Sequence, residues 1–446
     1  MKKRHFRFKK SIFCILLIGI LFTAHIGWSS FSIAFADLNL ESVPTFQSSN
    51  VYDDLSILSL KDRRFIQSFD SLPVLETLHE KENTLLLLAT GDIMFHSPQI
   101  TAAYDATRNE YDFFPSFSQI APYVQAADYA LANFETTTAG DAYTYSGYPA
   151  FNAPDRTLDG IYEAGFDFLS TANNHAFDRK LHGVHRTLEQ MDQRGFDHNG
   201  TFNNTDESQH FLIKEVKNFK LGILSITYGL NGFEQAYDSE TLYKNVNLIS
   251  SDYDPDFVQN QLALMDEAGV DTSIVFIHWG NEYQLEPNEA QQILAQNLVL
   301  WGADIILGSH PHVIQKNEIV KYNGEDKYVI YSMGNFISNQ SRHTLTSIKN
   351  AKYTEDGIMV TIKLEKDQNG VTHLSEVKHI PTWVYKYSES GKNKYMVLPT
   401  IDYLTFEGTS SNKNIEPPPT LSEHVLELIK ASYNQSMSRC FDYTSK

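Results

Sequence analysis

The 446-residue sequence predicts an α/β sandwich. From Thr84 onward, short apolar runs of strand length alternate with segments whose apolar residues recur at helical spacing, the rhythm of an α/β fold. Several of those runs lead directly into residues of metal-ligand type. Open α/β sheets gather their ligands beyond the carboxyl ends of their strands, so this arrangement also predicts where a site forms.

Taken in order, the strand candidates are Leu85–Ala89, Tyr129–Asn133, Phe166–Thr171, Leu221–Thr227, Ser273–Ile277 and Asp304–Leu307. Their largely unbroken apolar character is that of buried strands. The helix candidates are Thr157–Ala164, Lys180–Arg194, Pro255–Ala268 and Pro287–Trp301, the last opening with a proline, which a first helical turn tolerates. After His312 the pattern changes. Asn317–Tyr322 and Lys327–Ser332 flank Asn323-Gly324, a strong hairpin signal, and Gly357–Glu365 and Thr372–Tyr387 lie either side of Asn369-Gly370. Pro381 interrupts the last of these, and the group reads as a second, more antiparallel sheet that residues 346–408 complete. Residues 409–446 form a loose tail, rich in Ser, Asn and Pro up to Thr420, and a terminal helix over Leu421–Ser436.

The amino-terminal part is of another kind. Lys2, Lys3, Arg4, Arg7, Lys9 and Lys10 precede an apolar stretch from Ile12 to Trp28, and Ala34-Phe35-Ala36 offers the small residues of a signal-peptidase site. Residues 1–36 therefore read as a signal peptide, or as an uncleaved membrane anchor, since the stretch approaches the ~20 residues that span a bilayer. Residues 37–83 read as a spacer with one amphipathic helix near Asp53 to Ser68, and the main domain begins at 84 and runs to 345. The formal charge is −19, and loss of the six cations in residues 1–36, which hold no acid, makes it −25. So acidic a surface disfavours nucleic acid, and a polyanionic substrate has to be held by local cations, a metal ion above all. Cys14 lies in the export signal and Cys440 near the other end, so a cleaved chain has one thiol and no internal disulfide.

His310-Pro311-His312 is the sharpest motif. Two histidines two apart point to one side of an extended segment, and the proline biases His310 toward that geometry. Just beyond a strand, neutral imidazoles suit Zn, Mn or Fe, one ion or two; the plainer reading is a pair in a surface turn. Gly91 lets the chain turn tightly after Leu85–Ala89 and present Asp92, although Gly-Asp is also a common turn. Alternation directs Asn133 and Glu135 the same way, and a carboxylate bridging two cations suits phosphoryl hydrolysis. In Asn173-Asn174-His175 an amide carbonyl can ligate a metal while the histidine protonates a leaving oxygen. Asp178 is either the orienting partner of His175 or a helix cap. His278, at the end of Ser273–Ile277, joins the set, whereas His182 and His185 fall within a helical pattern and are excluded.

The series Gly-Asp-Ile-Met (91–94), Asn-Phe-Glu-Thr (133–136), Asn-Asn-His-Ala-Phe-Asp (173–178), His-Trp-Gly-Asn-Glu-Tyr (278–283), Gly-Ser-His-Pro-His-Val-Ile-Gln (308–315) and Ser-Met-Gly-Asn-Phe (332–336) resembles the CapA family of poly-γ-glutamate capsule biosynthesis proteins, the PgsA-type group. The resemblance covers about residues 84–345. That family is similar in turn to the calcineurin-like metallophosphoesterases, which implies a four-layer α/β sandwich with two central sheets around a dinuclear centre. It implies Asp92 and His312 as ligands of a first metal, Asn174, His278 and His310 as ligands of a second, Glu135 as the bridge and His175 as the proton donor. One departure stands out: the Asp-x-His opening usual in metallophosphoesterases is missing, with Met94 in its place and His96 two residues on.

The expectation is thus an exported, envelope-associated protein in the synthesis, export or attachment of an anionic capsule polymer, with a metal-dependent phosphoesterase-like site. Its partners are the anionic envelope polymer or a phosphoester substrate and membrane capsule-synthesis proteins, with no nucleic acid. The alternatives are a non-catalytic assembly or anchoring subunit of a membrane capsule complex, and a metal-dependent amide hydrolase of the polymer.

Overall fold

The computed structural model describes residues 83–249, 255–404 and 421–445. The expected export signal, the spacer with its helix near 53–68 and the tail from Ser410 to Thr420 lie outside the described residues. Among the described residues, no helix is long and apolar enough to cross a membrane.

The chain begins with β1 (Thr84–Ile93), α1 (Ser97–Ala103), the small hairpin of β2 (Tyr104–Asp105) and β3 (Glu110–Tyr111), and α2 (Ala121–Gln125). Next come β4 (Tyr129–Phe134), α3 (Arg156–Ala164), β5 (Phe168–Ser170), α4 (Lys180–Arg194) and β6 (Asp197–Asn199). A second series follows: β7 (Leu212–Val216), β8 (Phe219–Thr227), α5 (Ser239–Asn245), α6 (Pro255–Glu267), β9 (Thr272–His278), α7 (Glu289–Leu300) and β10 (Ile305–Ser309). The remainder is β11 (Asn317–Tyr322), β12 (Glu325–Ile330), β13 (Asn335–Ile337), β14 (Asp356–Lys366), β15 (Thr372–Glu389), β16 (Lys392–Pro399), α8 (Glu423–Met437) and β17 (Tyr443–Thr444).

Two sheets result. A nine-stranded sheet runs β16-β15-β14-β1-β4-β5-β6, with β13 beside β1 and β17 beside β15; a six-stranded sheet runs β11-β12-β10-β9-β8-β7. Both have a parallel centre, β1-β4-β5-β6 in one and β8-β9-β10-β12 in the other. The sheets face each other across an apolar layer in which Leu85, Leu87, Leu131 and Phe168 meet Leu221, Ile223, Ile274, Phe276, Ile305 and Leu307. Intervening residues such as Leu88, Ala130 and Leu169 turn outward and pack with Leu158 and Ile161 of α3 and Met191 of α4, while Leu224, Val275 and Ile306 pack with Val258 and Leu262 of α6 and Leu298 of α7. The architecture is therefore the expected four-layer α/β sandwich, and burial on both faces is why the central strands read as unbroken apolar runs.

Four local expectations are corrected. The strands after His312 do not make a sheet of their own: the β11-β12 hairpin extends the six-stranded sheet beside β10, whereas residues 346–408 supply β14 to β16 of the nine-stranded sheet through the β1-β14 pairing. Pro381 does not break β15. It pairs with Ile358 of β14 at a point where the ladder with β16 has ended at Thr382–Pro399, and on that side the Thr400 hydroxyl donates to Pro381 O, so no ladder bond needs the missing N–H. Pro287 lies outside α7, which Asn288 caps by accepting a hydrogen bond from the Gln291 N–H at 2.9 Å. Gly91 is not a turn, because β1 continues to Ile93; its lack of a Cβ admits the Gly334 carbonyl, which a Cβ would meet at 1.9 Å.

Candidate metal centre

The carboxyl ends of β1, β4, β5, β8, β9 and β10 open on one place. Asp92 lies next to the end of β1, at a shift in register where β13 joins the strand, and its N–H donates to Gly334 O at 3.0 Å. Its carboxylate accepts from Asn133 Nδ2 at 2.8 Å and lies 3.0 Å from His312 Nδ1. Glu135, just past β4, places Oε1 3.7 Å from His312 Nε2 and 3.8 Å from His278 Nε2. The Asn174 Oδ1 atom meets His278 Nε2 at 3.0 Å, and the rings of His278 and His310 are 4.7 Å apart. Among the described residues, two groups of three have ligand atoms all within 4.8 Å: a fully buried one of Asp92, Glu135 and His312, and a more open one of Glu282, His310 and His312.

The His-Pro-His segment is not extended. His310 and His312 both have positive φ, 96° and 56°, because the chain bends directly after β10 instead of continuing the strand. Such backbone costs an L residue about 1–3 kcal/mol and persists where surrounding structure holds it, often at functional sites. Here Trp279 N donates to Ser309 O at 3.1 Å and Tyr283 N, itself at φ 65°, to Pro311 O at 2.8 Å.

The electrostatics match a cation site. Burial, and then the charges of Asp92 and Glu282, push the Glu135 carboxyl well above its ordinary range. Burial also drives Asp92 upward, but the hydrogen bond and charge of His312, with the bond from Asn133, outweigh it and leave Asp92 below its ordinary value. His278 is held far below the usual imidazole range and His310 is lowered to about 3, in both cases by burial first and neighbouring imidazoles second. Glu135 Oε1 and His310 Nδ1 are buried without a hydrogen-bond partner. Neutral imidazoles, an ionised Asp92 and an orphaned carboxylate oxygen form a donor set that fits a divalent cation.

Beside this set, His175 Nδ1 lies 2.8 Å from Asp178 Oδ2, which also accepts the Phe151 N–H at 2.6 Å. Asp178 thus does not cap α4, whose N-cap is Arg179. With Nδ1 engaged, Nε2 is the nitrogen left for proton exchange, and the Phe151 ring stands edge-on to the imidazole at 4.6 Å.

The structure brings Asp92, Glu135, Asn174, His278, His310 and His312 together, with the His175–Asp178 pair alongside. Sequence reasoning passed over several neighbours. Asn133 steadies Asp92, and Asn173 ties Asn133 to Phe134 O and to the His175 N–H. Glu282 and the aromatic rings of Tyr228 and Tyr283 line the mouth, 4.8 Å from His310 and 6.1 Å from His312 for the two tyrosines. The signal for Glu282 was its place at the end of the run carrying His278. Met94 is buried in the core, and His96 packs against Phe151, the ring that also meets His175, and is lowered to about 4 by burial and then by His312. His182 and His185, both on α4, bond to Ala139 O and Asn245 Oδ1.

A Bacillus anthracis protein, "Capsule biosynthesis protein CapA", is 28% identical over 271 residues, covering 59% of this chain and 62% of that protein. A Bacillus subtilis (strain 168) protein, "PGA biosynthesis protein CapA", is 27% identical over 260 residues, covering 57% of this chain and 62% of that one. The match thus spans less than two thirds of either relative. Among solved structures, a hypothetical protein from Thermus thermophilus is similar at a TM-score of 0.38 and 16% identity, covering 67% of this chain and 98% of that one. The model of the family "Bacterial capsule synthesis protein PGA_cap" matches residues 86–340, a stretch that takes in every strand end of the centre and more than half of the sequence, and the chain belongs to that family.

Proposed function

We propose that this protein acts in the making of a bacterial capsule as an exported, envelope-associated hydrolase with a divalent-metal centre. Its substrate is a phosphoester, or a related electrophile, of an anionic polymer such as poly-γ-glutamate. The observation that carries this reading is the convergence of Asp92, Glu135, His278, His310 and His312 on one spot, with Glu135 Oε1 and His310 Nδ1 lacking any other partner. Family membership supports the capsule role, and the names of the two Bacillus relatives support poly-γ-glutamate as the polymer. Export and membrane association rest on the basic, then apolar, start of the sequence. Membrane capsule-synthesis proteins are the partners this role requires.

Asp92, Glu135, Asn174, His278, His310 and His312 would hold one or two ions, and the mixed nitrogen and oxygen donors suit Mn, Zn or Fe. When bound, the metal supplies Lewis-acid charge that polarises the electrophile and acidifies water. The remaining work belongs to the chain. Asn133 keeps Asp92 oriented through a 2.8 Å bond, and Asp178 fixes the tautomer of His175 so that Nε2 can deliver a proton to the leaving oxygen. Phe151 presses on the imidazole and limits its rotation. The rings of Tyr228 and Tyr283 stand at the mouth beside His310 and His312.

A second reading, a non-catalytic assembly or anchoring subunit, is favoured by one observation: Met94 stands where metallophosphoesterases carry a ligand histidine. His175→Ala separates the two. If His175 is a general acid, the variant keeps its metal content and fold and loses about 100- to 10,000-fold in hydrolysis of a phosphoester probe. Measurable turnover equal to wild type would remove His175 as the acid and leave a hydrolase, whereas no turnover in either protein would favour the subunit.

A further inference from the structure

We infer that Glu282 is a metal ligand beyond the six named above, and that with His310 and His312 it forms an outer cation position at the mouth of the centre, beside the buried group of Asp92, Glu135 and His312. This deepens the metal reading proposed above and rests on it. Three observations carry the inference. The ligand atoms of the three residues lie within 4.8 Å of one another, with two buried imidazoles facing one exposed carboxylate. His310 Nδ1 is buried in a residue only 4% exposed and has no hydrogen-bond partner, so a donor nitrogen is left over at this spot. The loops that carry the three residues are also fastened together, which makes the juxtaposition a built feature. Tyr283 N donates to Pro311 O at 2.8 Å, Gln315 Nε2 to Gln284 O at 2.8 Å, and Asn350 Nδ2 to Tyr283 O at 2.8 Å. Gly280, at φ 84°, makes the turn between His278 and Glu282, and a Cβ there would strike the Gln291 side chain at 2.6 Å.

The chemistry of the outer group differs from that of the inner one. Two imidazoles and one carboxylate leave coordination positions free on the solvent side, as in catalytic sites with three protein ligands and an open place. The buried group carries two carboxylates in a water-poor setting and retains an ion more firmly. His312 belongs to both groups, and one imidazole nitrogen cannot serve two ions. Its Nδ1 lies 3.0 Å from Asp92 and its Nε2 3.7 Å from Glu135, so an ion in the inner group leaves the outer one to be held chiefly by Glu282 and His310, which makes it the looser of the two.

The test is a titration of the metal-stripped full-length protein with Mn²⁺, reading free Mn²⁺ by electron paramagnetic resonance. It compares wild type with Glu282→Gln, Asp92→Asn and Glu286→Gln, the last removing the same charge four residues along the loop. Wild type is expected to show two classes of binding. Glu282→Gln should weaken the looser class by at least ~10-fold and leave the tighter one unchanged, Asp92→Asn should weaken the tighter class, and Glu286→Gln should match wild type. Thermal melts check folding, with Glu282→Ala as a second variant should Glu282→Gln fail to fold. If Glu282→Gln binds as wild type does, or Glu286→Gln weakens binding equally, the outer site is overturned while the metal centre stands. If wild type takes up no Mn²⁺, the metal reading itself falls, and this inference with it.

Discussion

Replacing Gly91 with alanine tests whether backbone packing under the centre sets the position of Asp92. An alanine Cβ would lie 1.9 Å from Gly334 O and 3.1 Å from both Gly334 C and Met333 C. Real contacts of this kind are not shorter than about 3 Å, so strand or carbonyl has to move by roughly 1 Å. The carbonyl has little room to retreat, because Gly334 is itself backed by Asp356 O, 2.7 Å from where a Cβ would sit, and Gly357 packs as closely on Asn335 O. Three glycines, on β1, just before β13 and at the start of β14, thus lie in backbone contact. Movement stretches the 3.0 Å bond from Asp92 N to Gly334 O, leaving a fully buried N–H unpaired. That loss costs about 1–3 kcal/mol and the crowding about 1–3 kcal/mol, against a gain of about 0.4–1 kcal/mol from the stiffer unfolded chain. The net expectation is ~1–6 kcal/mol of destabilisation. The displaced Asp92 also leaves its partners Asn133 and His312, so metal content should fall with stability. Urea unfolding of the metal-stripped protein and elemental analysis of the purified one read the two effects. The control is Gly229→Ala, where nothing lies within 4 Å of the added carbon and stability should change by no more than about 0.5 kcal/mol. A Gly91→Ala protein as stable as that control would refute the reasoning.

Two further expectations concern stability and location. Asp356 is buried and its carboxyl is raised to about 8, chiefly by burial, although Ser432 Oγ donates to it at 2.7 Å. A carboxyl raised in the folded state favours folding while both states are protonated and loses that advantage as pH climbs from near 4 toward 8, where only the unfolded chain has ionised. Asp356→Asn should therefore melt higher than wild type at pH 8, by an amount of order 5 kcal/mol at most, and show no advantage near pH 4; equal melting curves at pH 8 would contradict it. For location, amino-terminal sequencing of the mature protein should begin at Asp37, and recovery of the full-length chain as a soluble cytoplasmic protein would sink both the cleaved and the anchored version.

The sequence by itself determined the parallel core and the address of the site. The central strands are buried on both faces, so Leu85–Ala89, Leu221–Thr227 and Asp304–Leu307 show as apolar runs; α4 shows at Lys180–Arg194 because its apolar residues keep helical spacing. The residues just past those strands are chemically conspicuous, and strand direction alone puts them at one end of a sheet. Periodicity is a local property, however, and pairing partners are not. Nothing in residues 317–330 or 356–399 states which sheet they join, a matter settled by the edges that β10 and β1 leave open. β16 escaped notice because it is short and partly charged, although Ser390-Gly391, both at positive φ, marks the hairpin that leads into it. At the centre, the bent backbone of His310 and His312 opposes their local preference for an extended chain and is held by Trp279 and Tyr283 from another loop. Glu282 looks like any exposed glutamate until that same fastening sets it over the two imidazoles. Tertiary structure decided these points because each depends on contacts between segments far apart in the chain, whose free energy outweighs the preference of any one of them.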